Sequence, residues 1–210
     1  MPGSRKRGIH DIAATSVVGG ATGTWPWPAA ARAGSAIGTT LGLTGRARIS
    51  RAGIESALHP KDPLMEGDDI RTLAASTAAL ELFRATEIHL GPETRFTLDR
   101  FSADLGGIVT IGGAMVFDRP DDLPKLDLTV QSAFGQIGVR GTRFFAGPSK
   151  GVYGVFVARG TVEVSAGGQR RSLQAGEGVD IAAPGDAPGA VARWGRTRID
   201  AAFASVGLRP

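Results

Sequence analysis

The ten residues Gln136-Ile137-Gly138-Val139-Arg140-Gly141-Thr142-Arg143-Phe144-Phe145 form the most distinctive stretch of this sequence. Glycine accepts a positive φ and lets another backbone come close, so Gly138 and Gly141 indicate a bend with tight packing. Val139 and Phe144 belong to the β-branched and aromatic residues that favour strands. The stretch therefore predicts two strands joined through a tight, glycine-bracketed connection.

Arg140 lies between the two glycines, and this position predicts a guanidinium that is held in one place. Its five N–H donors suit backbone carbonyls or a carboxylate. One interpretation is a structural arginine that pins the turn. The other is an arginine that binds an anion or a partner, and the residues alone leave both open.

The pattern around this stretch predicts an all-β fold. Short segments rich in β-branched and apolar residues recur every 8–12 residues or so, with glycine turns between them, which is typical of a sandwich, a barrel or a solenoid. The segments are 77–83, 87–90, 95–99, 107–111, 114–117, 126–130, 152–157, 161–164 and 179–181.

Three segments of the chain together resemble the FecR domain family. The stretch 137–144 is similar to the signature (A/G)-V-R-G-T-x-F, with matches at Gly138, Val139, Arg140, Gly141, Thr142 and Phe144. Upstream, residues 66–72 resemble the opening turn x-G-D-x-I-x-T, with matches at Gly67, Asp68, Ile70 and Thr72. Downstream, residues 159–164 and 173–177 resemble the ending x-G-x-V-x-V … L-x-A-G-E, which includes Gly160 and Gly176. The matches come in the family's order.

The resemblance implies a β-solenoid or roll of stacked short strands over residues 60–182. It also implies a non-enzymatic module that binds a protein, a peptide or an envelope polymer and needs no cofactor. In the best-known members the domain lies outside the inner membrane and relays the state of an iron-siderophore receptor to a sigma factor. This chain shows no anti-sigma segment or membrane span before the domain, so we expect an exported sensor or scaffold in envelope signalling or iron-responsive regulation.

Residues 1–33 are predicted to be an export signal. Arg5, Lys6 and Arg7 form a basic start, residues 9–23 are mildly apolar, and Ala31-Arg32-Ala33 fits the small-x-small pattern of a cleavage site. The low hydrophobicity resembles twin-arginine signals more than general secretory ones. We expect a periplasmic or secreted protein that begins near Gly34, without a membrane span in the mature chain. The alternative is a disordered N-terminus.

The rest of the chain is divided as follows. Residues 34–59 are expected to be a linker that leads into a first strand, and residues 183–210 a second linker with a short helix. Ile199 and Phe203 are four residues apart, as on one face of a helix. Trp194 and Phe203 are expected to dock this segment on the domain.

Composition excludes several classes of function. The net charge is +4, but residues 1–33 hold four of the 24 basic and one of the 20 acidic residues, so the remainder carries only +1. This balance gives no electrostatic basis for nucleic-acid binding. The chain has no cysteine, which excludes disulfides and thiolate sites.

The sequence shows no catalytic, metal or cofactor site. His10, His59 and His89 are far apart, and no Gly-x-Ser-x-Gly motif is present. The alternative to a binding module is a cupin-like β-barrel enzyme or small-ligand binder, since residues 160–178 resemble a hairpin that cupins share. A metal-binding cupin would need two or three histidines and a glutamate around the barrel axis.

Overall fold

Most of the described chain forms β-strands, in which successive side chains point alternately into the core and out to solvent. The computed structural model describes residues 35–83, 85–102, 106–123, 127–139 and 142–210. In this part of the chain the strands are β1 (Gly38–Thr44), β2 (Ala47–Arg51), β3 (Ile54–Ala57), β4 (Pro63–Leu64), β5 (Asp69–Thr72), β6 (Thr77–Leu82), β7 (Thr86–Leu90), β8 (Arg95–Ser102), β9 (Gly106–Gly112), β10 (Met115–Asp118), β11 (Leu128–Ser132), β12 (Gly135–Val139), β13 (Arg143–Ser149), β14 (Val152–Arg159), β15 (Thr161–Ala166), β16 (Gln169–Gln174), β17 (Glu177–Ile181) and β18 (Ala192–Arg193). One helix, α1 (Arg196–Ala204), follows them.

The strands form two nine-stranded sheets. Sheet A has the order β4-β1-β6-β7-β10-β13-β14-β17-β18, and sheet B has the order β3-β2-β5-β8-β9-β11-β12-β15-β16. Neighbours are antiparallel, apart from the parallel pair β9 and β11. As described, neither sheet closes on itself, so each has two edges. The predicted all-β fold with a short C-terminal helix is confirmed, and the chain is not a closed barrel.

The main core lies between the two sheets. On β6 every second residue is buried, and the same alternation on β8 buries Phe96 and Leu98. Leu80 and Ile88 from sheet A join Phe96 and Val109 from sheet B in one apolar cluster. Each such side chain stabilises the fold by roughly 1.5–3 kcal/mol relative to an exposed position. Apolar side chains thus fill the space between the sheets.

A second core covers the outer face of sheet A. Val116, Phe145 and Phe156 point away from the main core and pack against Trp194 and Phe203 of the C-terminal segment. The Trp194 ring stacks on Phe156 at a centroid distance of 5.2 Å. The expected docking of this segment through Trp194 and Phe203 is therefore confirmed, and β13 and β14 are buried on both faces.

Two glycines make room for the Trp194 ring. A Cβ atom at Gly154 would lie 2.7 Å from Trp194 Cη2, and one at Gly178 would also collide with the indole. Arg198 covers one face of the ring, with its Cζ 3.5 Å from the ring centroid. The same guanidinium donates to Asp180 Oδ1 at 2.6 Å. Trp194 is thus clamped between two strands and one turn of the helix.

Residues 34–59 differ from the expected linker with one strand, because they contain β1, β2 and β3. The expectation failed since β1 has only two apolar side chains larger than glycine, Leu41 and Leu43, and neither of them is buried. Tertiary pairing forms it instead: β1 pairs with β6 over most of its length. Gly38 is required there, because a Cβ atom would collide with the backbone carbonyl of Glu81.

The described helix, α1, has nine residues and is far too short to cross a bilayer.

Truncation of Trp194 is expected to loosen the C-terminal segment. Trp194→Ala removes a large ring that is 8% exposed and leaves a cavity on sheet A, so the free energy of unfolding should fall by about 3–5 kcal/mol. Urea unfolding measures the change. Val191→Ala is the control, because Val191 is 37% exposed in the same segment and its loss should cost less than about 0.5 kcal/mol. Equal effects of the two substitutions would contradict the clamp.

Tyr153 gives a second test, of the main core. Its ring stacks on the Phe134 ring at a centroid distance of 4.4 Å, and its hydroxyl is buried. Burial raises the pKa of Tyr153 to about 12 from 10.0. The raised pKa means that the neutral hydroxyl stabilises the folded state, and its contribution to the free energy of unfolding is complete below pH 10. This contribution declines as the pH rises towards 12, by roughly 1.4 kcal/mol per pH unit.

Tyr153 is the chain's single tyrosine, so its ionisation can be followed directly by absorbance near 295 nm. We expect a midpoint near pH 12 in the folded protein and near pH 10 in urea. Tyr153→Phe should abolish the decline in the free energy of unfolding between pH 10 and pH 12 that the ionisation of Tyr153 causes. A native midpoint at pH 10 would show that the ring is accessible to water.

Candidate functional site

The two sheets have four edge strands, and three of these strands are protected against pairing with another chain. Edge strands protect themselves by shortness, proline or charge. In sheet A, β4 and β18 have two residues each, and β4 begins with Pro63. In sheet B, β16 carries the adjacent charges of Arg170 and Arg171.

The fourth edge, β3, is open. Its four residues, Ile54–Ala57, are all exposed, and Ile54 is 74% exposed. The strand carries one charge, on Glu55, and has no proline. We call β3 the open edge. Among the described strands it is the edge best suited to pair with another chain.

The register shows which backbone groups of the open edge are free. The β2–β3 turn consists of Ala52 and Gly53, both at positive φ, which is a two-residue hairpin turn. Hydrogen-bonded and non-hydrogen-bonded pairs alternate from such a turn, and the bond from Leu58 N to Ala47 O at 3.0 Å fixes the phase. The N–H and C=O groups of Glu55 and Ala57 therefore point away from the sheet.

Two surface cavities adjoin the open edge. One, of 610 Å³, is lined by β3 together with Leu43, Leu58 and Leu73. The other, of 480 Å³, lies between the edges of the two sheets and is lined in part by Ile49 and Ile54. Successive side chains of an added strand point to opposite faces, and apolar cavities beside an edge can receive them.

Asp68, predicted from the opening turn, anchors the hairpin that carries the open edge. Its carboxylate is fully buried and accepts two bonds from Arg51, from Nε to Oδ1 at 2.7 Å and from Nη2 to Oδ2 at 2.8 Å. Arg51 Nη2 also donates to Pro63 O at 2.8 Å. Hydrogen bonding to Asp68 raises the pKa of Arg51. The pair ties β2 of sheet B to β4 of sheet A.

The other opening-turn residues are structural. Gly67 has a φ of 85°, which favours glycine, and Ile70 is fully buried in the main core. The Thr72 hydroxyl donates to Gly91 O at 2.6 Å and accepts from Thr94 N at 2.9 Å. Thr94 Oγ1 in turn accepts from Ala114 N at 3.0 Å, so these hydroxyls join the β5–β8 layer to β10.

The central motif is described only in part. Val139 ends β12 in the main core, Thr142 is buried, and Phe144 stacks on Phe117 at 5.5 Å, so the two predicted strands are confirmed. Arg140 and Gly141 lie outside the described residues, and the two interpretations of Arg140 remain predictions.

The prediction of a bend with tight packing is wrong at Gly138. This residue lies inside β12 without a positive φ, and a Cβ atom there would have its nearest neighbour at 3.9 Å. It forms the floor of a shallow 540 Å³ cavity on the outer face of sheet B, with walls that include Thr129, Glu163 and Ser172. The position can therefore accept a small side chain without a collision.

The two downstream glycines occupy turns. Gly160, at φ 80°, joins β14 to β15, and Gly176, at φ 86°, precedes β17. The Gly176 N–H donates to Val157 O at 2.8 Å, and its carbonyl accepts from Trp194 N at 3.3 Å. Gly176 thus connects the end of the family motif to the second core.

The described residues contain no group of three histidine, aspartate or glutamate side chains placed to hold a metal ion. His89 contacts Glu87 at 3.1 Å, and His59 lies 3.6 Å from Asp62. The cupin-like alternative also requires a barrel axis, and here apolar side chains fill the space between two open sheets.

Comparison with known proteins matches part of the chain to a family. Residues 68–163 match the family model described as FecR protein. The resemblance noted in the sequence is confirmed for this segment. No curated protein matches the chain.

Two crystal structures of proteins from Parabacteroides distasonis ATCC 8503, each described as a candidate anti-sigma factor, share the fold. One is 19% identical with a TM-score of 0.50, over 60% of this chain and 59% of that chain. The other is 16% identical with a TM-score of 0.51, over 66% and 65%. The chain thus spans about three fifths to two thirds of those structures' length.

Removal of the buried charge at Asp68 is expected to destabilise the open edge. Asp68→Asn removes the buried carboxylate that accepts two hydrogen bonds from Arg51, and a hydrogen bond to a charged group contributes about 1.5–3 kcal/mol. Because the Arg51 side chain is 41% exposed, water can solvate its unpaired guanidinium, and we expect a loss of about 2 kcal/mol by urea unfolding. Asp69→Asn is the matched control: its partner Arg95 is 64% exposed, so its loss should cost below about 1 kcal/mol. A larger effect at Asp69 would contradict the anchoring role.

Proposed function

We propose that this chain is a non-enzymatic signalling module that binds a protein partner by accepting a strand of that partner beside β3. The single observation that carries the proposal is the open edge, with outward N–H and C=O groups on Glu55 and Ala57. Strand addition uses main-chain hydrogen bonds for affinity and neighbouring pockets for specificity. Such binding needs neither a catalytic group nor a cofactor.

Three further features support this function. The FecR match covers residues 68–163, and both structures with the same fold are described as candidate anti-sigma factors, so we propose a role in signal transduction. The sequence of residues 1–33 supports export to the periplasm or beyond. We also propose a roll as the architecture, because the strand order in both sheets advances with the chain from β1 and β2 to the far edges, with only β4 and β3 added outside those first strands.

The geometry of the open edge specifies how the partner binds. Glu55 and Ala57 together offer two donors and two acceptors, enough for up to four backbone hydrogen bonds with an added strand. Each bond replaces hydrogen bonds to water and therefore contributes a net free energy of about 0.5–1.5 kcal/mol. The two adjoining cavities provide apolar surface in addition, including Ile54 and Leu73. We therefore expect a partner segment with apolar side chains at alternate positions.

Proline at the open edge tests strand addition. Ala57→Pro removes an N–H that makes no bond within the sheet, so the fold should persist while partner binding is lost. Ser172→Pro is the matched control, because Ser172 occupies the equivalent outward position on β16, the other edge of sheet B. Circular dichroism shows whether both variants are folded.

The measurement is capture from a periplasmic extract of the native host, followed by hydrogen exchange of the complex with the recovered partner. We expect slower exchange of the Glu55 and Ala57 amides on binding, and loss of capture with Ala57→Pro alone. Binding that survives Ala57→Pro, or a complex with unchanged exchange at these amides, would refute strand addition. A tight metabolite in the purified protein, together with no captured protein, would favour the small-ligand alternative.

A further inference from the structure

Three arginines stand side by side on the outer face of sheet B. In the antiparallel register Arg48 of β2 is directly opposite Arg71 of β5, and Arg71 is directly opposite Arg95 of β8. All three are exposed, and the residues on either side of each in the sequence are buried. Neighbouring strands lie about 4.8 Å apart, so three guanidinium groups project from one line across three strands. We call these residues the arginine row.

The arginine row is unfavourable for the sheet itself. Like charges directly opposite each other destabilise a strand pair. The two outer arginines are compensated by the next row of residues: Arg48 Nη1 lies 3.1 Å from Glu55 Oε1, and Arg95 Nε lies 2.6 Å from Asp69 Oδ2. Arg71, in the middle, has no ion-pair partner among the described residues.

The five charged side chains and Ser50 line one cavity of 180 Å³. Three arginines against Glu55 and Asp69 leave one positive charge in it. A guanidinium presents a fork of N–H donors that matches the two oxygens of a carboxylate. The cavity therefore has the charge and donors to accept one carboxylate, at Arg71.

We propose that the arginine row binds an acidic segment of the protein partner, with an aspartate or glutamate carboxylate seated on Arg71. This inference rests on the proposed function, since it assigns a second contact to the same partner. The two contacts are continuous: Ala57, one of the outward residues of the open edge, is directly opposite Arg48 in the register. Because Ala57 is small, the row opens towards the edge at which the partner strand is added.

The probe for this site is an acetylated, amidated octapeptide that alternates glutamate and serine, with glutamine replacing glutamate in the control peptide. Titration by calorimetry at low salt should show binding of the glutamate peptide alone. Arg71→Gln should weaken it at least tenfold. Arg170→Gln, which removes the same charge from the far edge of sheet B, where Arg170 pairs with Glu163, should change it less than twofold.

Several results would overturn the proposal. Equal weakening by Arg71→Gln and Arg170→Gln would mean general attraction to a basic surface. No binding of the glutamate peptide, beside Arg71-dependent binding of polyphosphate, would assign the row to phosphate polymers instead. A melting temperature of Arg71→Gln well below wild type would give Arg71 a structural role, whereas relief of like-charge repulsion predicts one that is equal or higher.

The same variants separate this inference from the proposed function. Unchanged peptide binding by Arg71→Gln, together with lost partner capture by Ala57→Pro, would leave strand addition intact and refute the arginine site. Arg71-dependent peptide binding with capture that survives Ala57→Pro would refute strand addition and support the arginine site.

Discussion

An open β-sheet in water ends in two strands whose outward N–H and C=O groups have no partner within the sheet, and this constraint governs the whole molecule. Two open sheets present four such edges. Shortness, a proline and a pair of arginines protect three of them. The fourth has four residues and a single charge, and the bonds from Arg51 to the buried Asp68 fix it in place. A protein that only needed to fold would gain from protecting this edge as well.

The C-terminal segment gives the two sheets different roles. Trp194 and Phe203 cover the outer face of sheet A around β13 and β14, so that these strands are buried on both sides. In the described part of the chain the outer face of sheet B has no such cover, and it carries the arginine row and the shallow cavity at Gly138. The polar, open surface and the open edge thus belong to the same sheet.

The strands of the family segment were predictable because apolar and polar side chains alternate along them. β6, β8 and β14 follow the expected segments closely, and the structure shows that the family-motif residues Asp68, Thr72 and Phe144 are buried. Neither β1 nor β3 was predictable. β1 is built mostly of glycine and threonine, and neither of its two leucines is buried, while the four residues of β3 are all exposed. Neither strand therefore has an apolar buried face that leaves a periodic signal.

The candidate site escaped the sequence for a related reason. The importance of Arg48, Arg71 and Arg95 depends on cross-strand register, and residues 23 and 24 positions apart have no local pattern that connects them. Gly138 shows the opposite error. A glycine in a strand indicates close approach of another backbone, yet at Gly138 the space above the strand is open to solvent.

The second core also sets the limits of the unit that can fold. The FecR match ends at residue 163, but β15 and β14 find their next neighbours in β16 and β17, which lie beyond that point. A fragment cut at the end of the match would expose Phe145 and Phe156 and leave β14 and β15 as unprotected edge strands. Because such strands pair with other chains, the fragment would tend to aggregate. For this chain the unit of sequence similarity is smaller than the unit of cooperative folding, because β16, β17, β18 and the helix complete surfaces that the family segment only begins.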